Sequence, residues 1–317
     1  MNIALNIPED FFKEEEKCGY VVSTELKKLW AVDLDMLNEF DKVCSSNGLR
    51  YYIAYGTLLG AIRHGGFIPW DDDVDLVMPR DDYERLCAIA ENNFKEPYFF
   101  QTEKTDPGFS RPFARLRNSE TAAFQKSEDY RKIPYNQGIF IDIFPLDNFP
   151  DKEAEQICFI KKLSRAKRKM IRFSRFTTRY RSKETHTLSG NIKNVIKGCS
   201  SCLTRPVMRM LRLGNPFVAP YEKLEQRYHE VETDAWFVPF FFNDKRQIIW
   251  EKKWFEKTIQ VDFEMMKVPA PADYEKILST CYGNWREPVM GSTIHGEVFY
   301  DAEHSFRDYL SDIRQVS

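Results

Sequence analysis

Four aspartates in five positions, Asp71, Asp72, Asp73 and Asp75, follow Trp70 and are the residues of this chain best suited to chemistry. Crowded carboxylates repel one another, so such a run is costly unless cations or hydrogen-bond donors compensate. If Val74 to Met78 is a strand, residues two apart share a face. Asp73 and Asp75 then aim together while Val74 and Leu76 face the core. An all-oxygen donor set suits Mg²⁺, with Mn²⁺ as a substitute. Asp142, flanked by Ile141 and Ile143 in an apolar run, is the best candidate for a third carboxylate, because an unpaired charge there is expensive. Two ions about 4 Å apart would stabilise both the attacking and the leaving oxygen of a displacement at phosphorus. Asp73, Asp75 and Asp142 are therefore expected to be the catalytic carboxylates and the metal ligands. The plainer alternative for the run itself is a solvated acidic turn.

Upstream, Gly56-Thr57 sits between a short apolar strand and a short helix. Amides at a helix N-terminus can hold a phosphate. Arg63 suits bidentate contact with phosphate oxygens, or equally a surface ion pair. His64 has the same two readings, phosphate contact or structure. Trp70 could stack on a base or a cation, or simply pack in the core.

These side chains need a frame. The chain has 317 residues, 43% hydrophobic and 15% aromatic, with a net charge of -2. That is enough for a large core, and the balanced charge by itself implies neither nucleic acid nor membrane. Apolar positions at three- and four-residue spacing predict a helix from Ser23-Thr24 to about Ser46, with Thr24 as its cap and Asn47-Gly48 as its end. Strands are expected at 51–54, 74–78, 98–100 and 138–144, the last closed by Pro145. A short helix is expected over 58–63 and another from Asp81-Asp82 to about Glu91. A hairpin is expected between 115–117 and 121–124. This order argues for an α+β fold with a mixed sheet flanked by helices. Residues 20–150 read as the catalytic core, 151–219 as a basic helical insertion, and 220–317 as a mainly helical C-terminal part that packs on the core and completes the site.

Two long motifs carry a resemblance to a known family. Tyr55-Gly56-Thr57-Leu58-Leu59-Gly60-Ala61-Ile62-Arg63-His64-Gly65-Gly66-Phe67-Ile68-Pro69-Trp70-Asp71-Asp72-Asp73-Val74-Asp75 and Gly138-Ile139-Phe140-Ile141-Asp142-Ile143-Phe144-Pro145-Leu146-Asp147 strongly resemble the LicD family. That family includes bacterial phosphocholine transferases and is related to the fukutin-type ribitol-phosphate transferases. It looks like a divergent polymerase-β-type nucleotidyltransferase. The resemblance implies a nucleotidyltransferase-like core, a CDP-activated donor such as CDP-choline, and a cell-surface glycan or its lipid-linked precursor as acceptor. By the family pattern Asp73 and Asp75 bind metal, Asp142 is the third carboxylate, and Gly56 and Thr57 form the donor-phosphate turn. His295 is the nearest match to a family histidine, and Asn284 stands where members often carry Asp. Arg115 and Arg117 are further candidates to hold phosphate oxygens.

Other readings stay open. The donor could be CDP-ribitol or CDP-glycerol, or the reaction could be nucleotidyl transfer to an antibiotic or tRNA. A non-catalytic protein that binds glycan or a membrane surface is an alternative of a different class. From Lys161 to Arg212 the only acid is Glu184. Such a segment suits the anionic inner face of a membrane, at about 1 kcal/mol per cation; a solvated helical face and, below it, nucleic acid are the other readings. The N-terminus does not look like a signal peptide, and no stretch approaches a bilayer span, so a cytoplasmic enzyme is expected, peripheral at the membrane. Cys199 and Cys202 have the spacing of half a zinc site with nothing to complete it, so free thiols are preferred.

Overall fold

A computed structural model describes residues 1, 3–126, 130–133, 135–178, 214–241, 248–290 and 298–311. The long first helix, α1 (Thr24–Ser46), turns Trp30, Leu34, Leu37 and Phe40 into the core. Full burial of such side chains stabilises by about 1.5–3 kcal/mol each. Its cap is Ser23, not Thr24. The Ser23 hydroxyl accepts from the Leu26 amide at 3.2 Å, since Ser23 has the extended backbone a cap requires. Thr24 instead donates to the Phe12 carbonyl.

The strands are β1 (Glu15–Lys17), β2 (Tyr20–Val22), β3 (Tyr52–Ile53), β4 (Asp75–Pro79), β5 (Tyr98–Gln101), β6 (Ala114–Asn118), β7 (Ala122–Gln125), β8 (Ile139–Phe149), β9 (Ala235–Phe237), β10 (Ile249–Glu251), β11 (Thr258–Phe263), β12 (Met266–Pro271) and β13 (Val298–Asp301). The remaining helices are α2 (Tyr55–His64), α3 (Arg80–Asn93), α4 (Glu153–Thr178), α5 (Val218–Glu225), α6 (Tyr274–Tyr282) and α7 (Phe306–Ser311).

A seven-stranded mixed sheet carries the fold. Its order is β10-β9-β8-β4-β3, with β6 also on β8 and β5 on β6. β8 is the hub. It runs parallel to β4 and antiparallel to β6 and β9. β6 pairs with residues Ile139 to Ile143 of β8, and β9 with Asp147 to Phe149. Pro145 falls in the gap between those two partners. It therefore sits inside the strand rather than ending it, because a residue without an N–H is tolerated where no ladder bond is required.

Two further expectations change. β6 and β7 do not form a hairpin; β7 pairs with β13, from far along the chain. The C-terminal part, expected to be mainly helical, supplies β9 to β13, and β9 and β10 join the central sheet. The start of the basic insertion, α4, packs with α5 through a second apolar cluster that includes Phe149, Phe159, Leu163, Tyr221 and Phe237. Beside it Arg80 holds Asp147 through two hydrogen bonds, at 2.8 and 2.5 Å, with Glu225 at 3.7 Å. Residues 179–213, with Cys199 and Cys202, lie outside the described residues. No described helix is long and apolar enough to cross a membrane.

Candidate active site

The C-terminal ends of the motifs meet at a cleft of about 630 Å³. Asp75, the first residue of β4, is the register partner of Asp142 on β8, and Arg115 on β6 is the register partner of Asp142 on its other side. All three line the cleft, with Asp71, Asp73 and Gly56. Parallel pairing of β4 with β8 thus brings the acidic run and the isolated aspartate to one wall. The Asp142 amide donates to the Val74 carbonyl at 2.9 Å, which pins the two motifs together where the carboxylates lie.

The carboxylates Asp71, Asp72 and Asp73 also converge, with one oxygen of each within 4.8 Å of the others. Three anchors hold their turn. The Trp30 indole donates to the Asp71 carbonyl at 2.9 Å, the Tyr300 hydroxyl donates to Asp72 at 3.0 Å, and the Asp71 amide reaches back to the Ile68 carbonyl. A Cβ added at Gly56 would collide with the Asp71 carboxylate, so the absence of a side chain there lets the turn and α2 approach. Burial, then the charges of Asp73 and Asp72, pushes the Asp71 carboxyl well above its ordinary range. Burial, then Asp73 and Asp142, does the same to Asp75. Such a set, all hard oxygens and short of positive charge, fits a divalent cation of the Mg²⁺ type.

The structure separates the remaining expected site residues by role. The Thr57 hydroxyl is buried and accepts from the Asp75 amide at 2.8 Å; it holds Asp75 and does not line the cleft. Tyr55, just before Gly56, has φ +47. A non-glycine residue strained in this way at a cleft wall is often part of a site. Arg63 lines the cleft, but its guanidinium donates to the Trp285 carbonyl at 2.9 Å and the Glu287 carbonyl at 3.4 Å. It tethers the segment after α6 across the mouth. The Arg63 Nε lies 2.9 Å from His64 Nε2. His64 is not part of the lining, and burial and Arg63 lower its pKa.

Arg115 donates to both Asp142 oxygens, at 2.5 and 3.2 Å, and lies 3.5 Å over the Phe140 ring. It is thus an orienting partner of Asp142 as well as a cleft cation. Arg117 packs on the other part of the same ring, 4.8 Å away. It donates to Gln101 and to the Gly138 carbonyl, and burial with Arg115 nearby pushes its pKa down to about 9. Its donors face the protein interior, so the expected phosphate contact has no opening there. Trp70 lines the cleft and meets Tyr20 edge to face. His295 lies outside the described residues.

Three lining residues, Arg111, Phe240 and Phe241, gave no sequence signal. Arg111, beside Phe240, is a cleft cation from the loop before β6. Phe240 and Phe241 come from a single turn at Pro239–Phe241, and Trp285, 6% exposed, closes the far side. None belongs to a periodic pattern. Only the aromatic density of 236–241 could have marked the Phe pair.

Residues 48–175 match the family described as LicD/FKTN/FKRP, nucleotidyltransferase domain. This stretch is similar to the LicD-family domain. It contains the acidic turn, β8 and most of α4, and so both strands that carry Asp75 and Asp142. Outside it, the C-terminal segment brings Trp285 and Tyr300 to the same place. Among curated relatives, the lipopolysaccharide cholinephosphotransferase LicD of Haemophilus influenzae is 32% identical over 170 residues, covering 53% of this chain and 61% of that protein. The human ribitol 5-phosphate transferase FKRP is 38% identical over 82 residues, 25% of this chain and 16% of that one. The mannosyltransferase regulator 4 of Saccharomyces cerevisiae is 30% identical over 115 residues, 34% of this chain and 9% of that one. The chain therefore spans about three fifths or less of the length of these relatives.

Proposed function

We propose that this protein transfers a phospho-alcohol, with phosphocholine the first candidate, from a CDP-linked donor to a hydroxyl of a cell-surface glycan or its lipid-linked precursor, releasing CMP. The observation that carries this reading is the row Asp75–Asp142–Arg115 on one wall of a cleft that also holds Asp71 and Asp73. The named activities of the bacterial and human relatives, cholinephosphotransferase and ribitol 5-phosphate transferase, agree in reaction class.

Asp73 and Asp75 would hold Mg²⁺, with Asp71 and Asp142 beside them. The ion, when bound, would neutralise charge that builds up on the phosphate oxygens in transfer. The chain's own groups do the rest. Arg111 and Arg115 attract the diphosphate. Asp142, its carboxylate oriented by Arg115, accepts the proton of the attacking hydroxyl. The new oxygen–phosphorus bond forms as the bond to the bridging oxygen breaks, and the electron pair leaves with CMP. Tyr55, Trp70, Phe240, Phe241 and Trp285 line the cleft and suit a trimethylammonium group, at about 0.5–2 kcal/mol per good contact. Membrane attachment at the cytoplasmic face fits α4, where Lys161, Lys162, Arg165, Arg168, Lys169 and Arg172 are exposed; anionic headgroups would draw each by about 1 kcal/mol.

The test is incubation with CDP-choline, CDP-ribitol and CDP-glycerol plus Mg²⁺ or Mn²⁺, with and without glycan acceptors. Release of CMP, lost in Asp75→Asn, is the expected result. Pyrophosphate release from a nucleoside triphosphate would instead favour nucleotidyl transfer. Retention of full activity in Asp75→Asn would remove the basis of the reading. Sedimentation with anionic but not neutral vesicles would test the membrane contact.

A further inference from the structure

β6 carries two arginines on one face, and the fold treats them differently. Arg115 meets an acid, Asp142. Arg117, two positions on and 3% exposed, does not. Both hydrogen-bond partners it has among the described residues are neutral, the Gln101 side-chain oxygen and the Gly138 carbonyl. Arg80, buried as deeply, shows the ordinary arrangement, with Asp147 held by two bonds and Glu225 close by. Burying a charge without an opposite partner is expensive. An apolar side chain of similar volume would fill the space at lower cost. Arg117 does not line the cleft either, so neither stability nor contact with a ligand accounts for it.

Its remaining contact does. Arg117 is the register partner of Phe140 on β8, and its guanidinium lies 4.8 Å from that ring's centre. The Arg115 guanidinium lies 3.5 Å over the same ring. Phe140 precedes Asp142 by two residues and so shares its face of the strand. Arg115 grips Asp142 side-on, Nε to one oxygen and a terminal nitrogen to the other. Such a grip needs a fixed guanidinium plane, and the ring beneath it sets that plane. The ring is bounded in turn by Arg117, whose own anchors have little freedom. Gln101 is fully buried and gives its amide nitrogen to Asp106 and the Asn136 carbonyl. A Cβ at Gly138 would collide with the Asn118 carbonyl, which shows how closely the backbone is packed there.

We propose that Arg117 is a positioning residue: held by Gln101 and Gly138, it seats the Phe140 ring on which Arg115 lies, and so fixes the pose in which Arg115 holds Asp142 at the cleft wall. This rests on reading Asp142 as the group that takes the hydroxyl proton. Support through the ring outweighs the repulsion between the two like charges.

The experiment uses the full chain as wild type, Arg115→Met, Arg117→Met, the double variant of these two, Arg117→Lys and Phe140→Leu. Urea denaturation in chelator closes a double-mutant cycle. Arg115→Met is expected to destabilise less in the Arg117→Met background than in wild type, because the support is already gone. An equal loss would make the two sites independent, and a greater one would leave only repulsion between them; either overturns the proposal. If Arg117→Met does not fold, Arg117→Lys takes its place in the cycle with the same sign expected. In CMP release, Arg117→Met, Arg117→Lys and Phe140→Leu are expected to lower kcat about tenfold with KM little changed. Lys supplies the charge but not the flat fork, so wild-type kcat in Arg117→Lys would overturn the proposal. If the wild type releases no CMP from any CDP-alcohol, the reaction reading fails, and the denaturation cycle, which needs no substrate, still decides whether Arg117 supports Arg115.

Discussion

Asp75 and Asp142 stand in register on neighbouring parallel strands, 67 positions apart in sequence, and Arg115 extends the same row on the next strand. The row contains two acids and one base, all buried. Its stability depends on Arg115. Truncating one member of a buried pair leaves the other charge uncompensated and costs about 3–5 kcal/mol. Arg115→Met is therefore expected to lower unfolding free energy by that order in chelator, as read by urea denaturation. Added Mn²⁺ is expected to recover part of the loss.

Thr57 is predicted to act through Asp75. Thr57→Val removes the acceptor for the buried Asp75 amide, at a cost of about 1–3 kcal/mol. Because the displaced group is Asp75, kcat is expected to fall about tenfold or more with KM little changed. Thr57→Ser keeps the hydroxyl and is expected to retain most of the rate. Steady-state kinetics of CMP release with a chemically matched pair of variants makes the check.

Gly60 is predicted to be intolerant of even a methyl group. A Cβ there would collide with the Gly66 carbonyl and come within 3.1 Å of the Ile68 amide, both backbone atoms that cannot step aside. Gly60→Ala is expected to destabilise by about 1–3 kcal/mol through overpacking, measured by the shift in melting temperature. Gly65, where a Cβ would meet nothing but φ is +68, is expected to lose less, about 1 kcal/mol, from strain alone.

Lys167 provides a prediction in pH. It donates to the Phe240 carbonyl, and burial lowers its pKa from the ordinary 10.5 to about 8. The folded protein therefore binds this proton less tightly than the unfolded chain. Below about pH 8 both states are charged and the effect is constant. Between about 8 and 10.5 the native side chain is already neutral while the unfolded one is charged, so its contribution to stability rises with pH. Lys167→Met is expected to abolish that rise, visible as a wild-type minus variant difference in denaturation curves across the window.

The acidic turn and Asp142 were legible in the sequence because each breaks a pattern: four acids crowd five positions, and one interrupts an apolar strand. The strands that carry them were legible for the same reason. The β7–β13 pairing was not legible, since register between distant strands is fixed by tertiary packing and leaves no local trace. The interior placement of Pro145 depended on two strands ending short of each other along β8, which only the assembled sheet reveals. Thr57 and Arg63 were picked out as phosphate contacts, whereas their hydrogen bonds go to Asp75 and to the segment after α6. Residue type showed that they matter, but not what they touch.

The hydrogen bond from Tyr300 to Asp72 joins residues 228 positions apart. On a ribosome the acidic turn emerges early and this hydroxyl arrives late. Until β13 reaches β7, one of the three anchors of the turn is missing. A chain that lacks β13 would thus seat the acidic turn on two anchors in place of three.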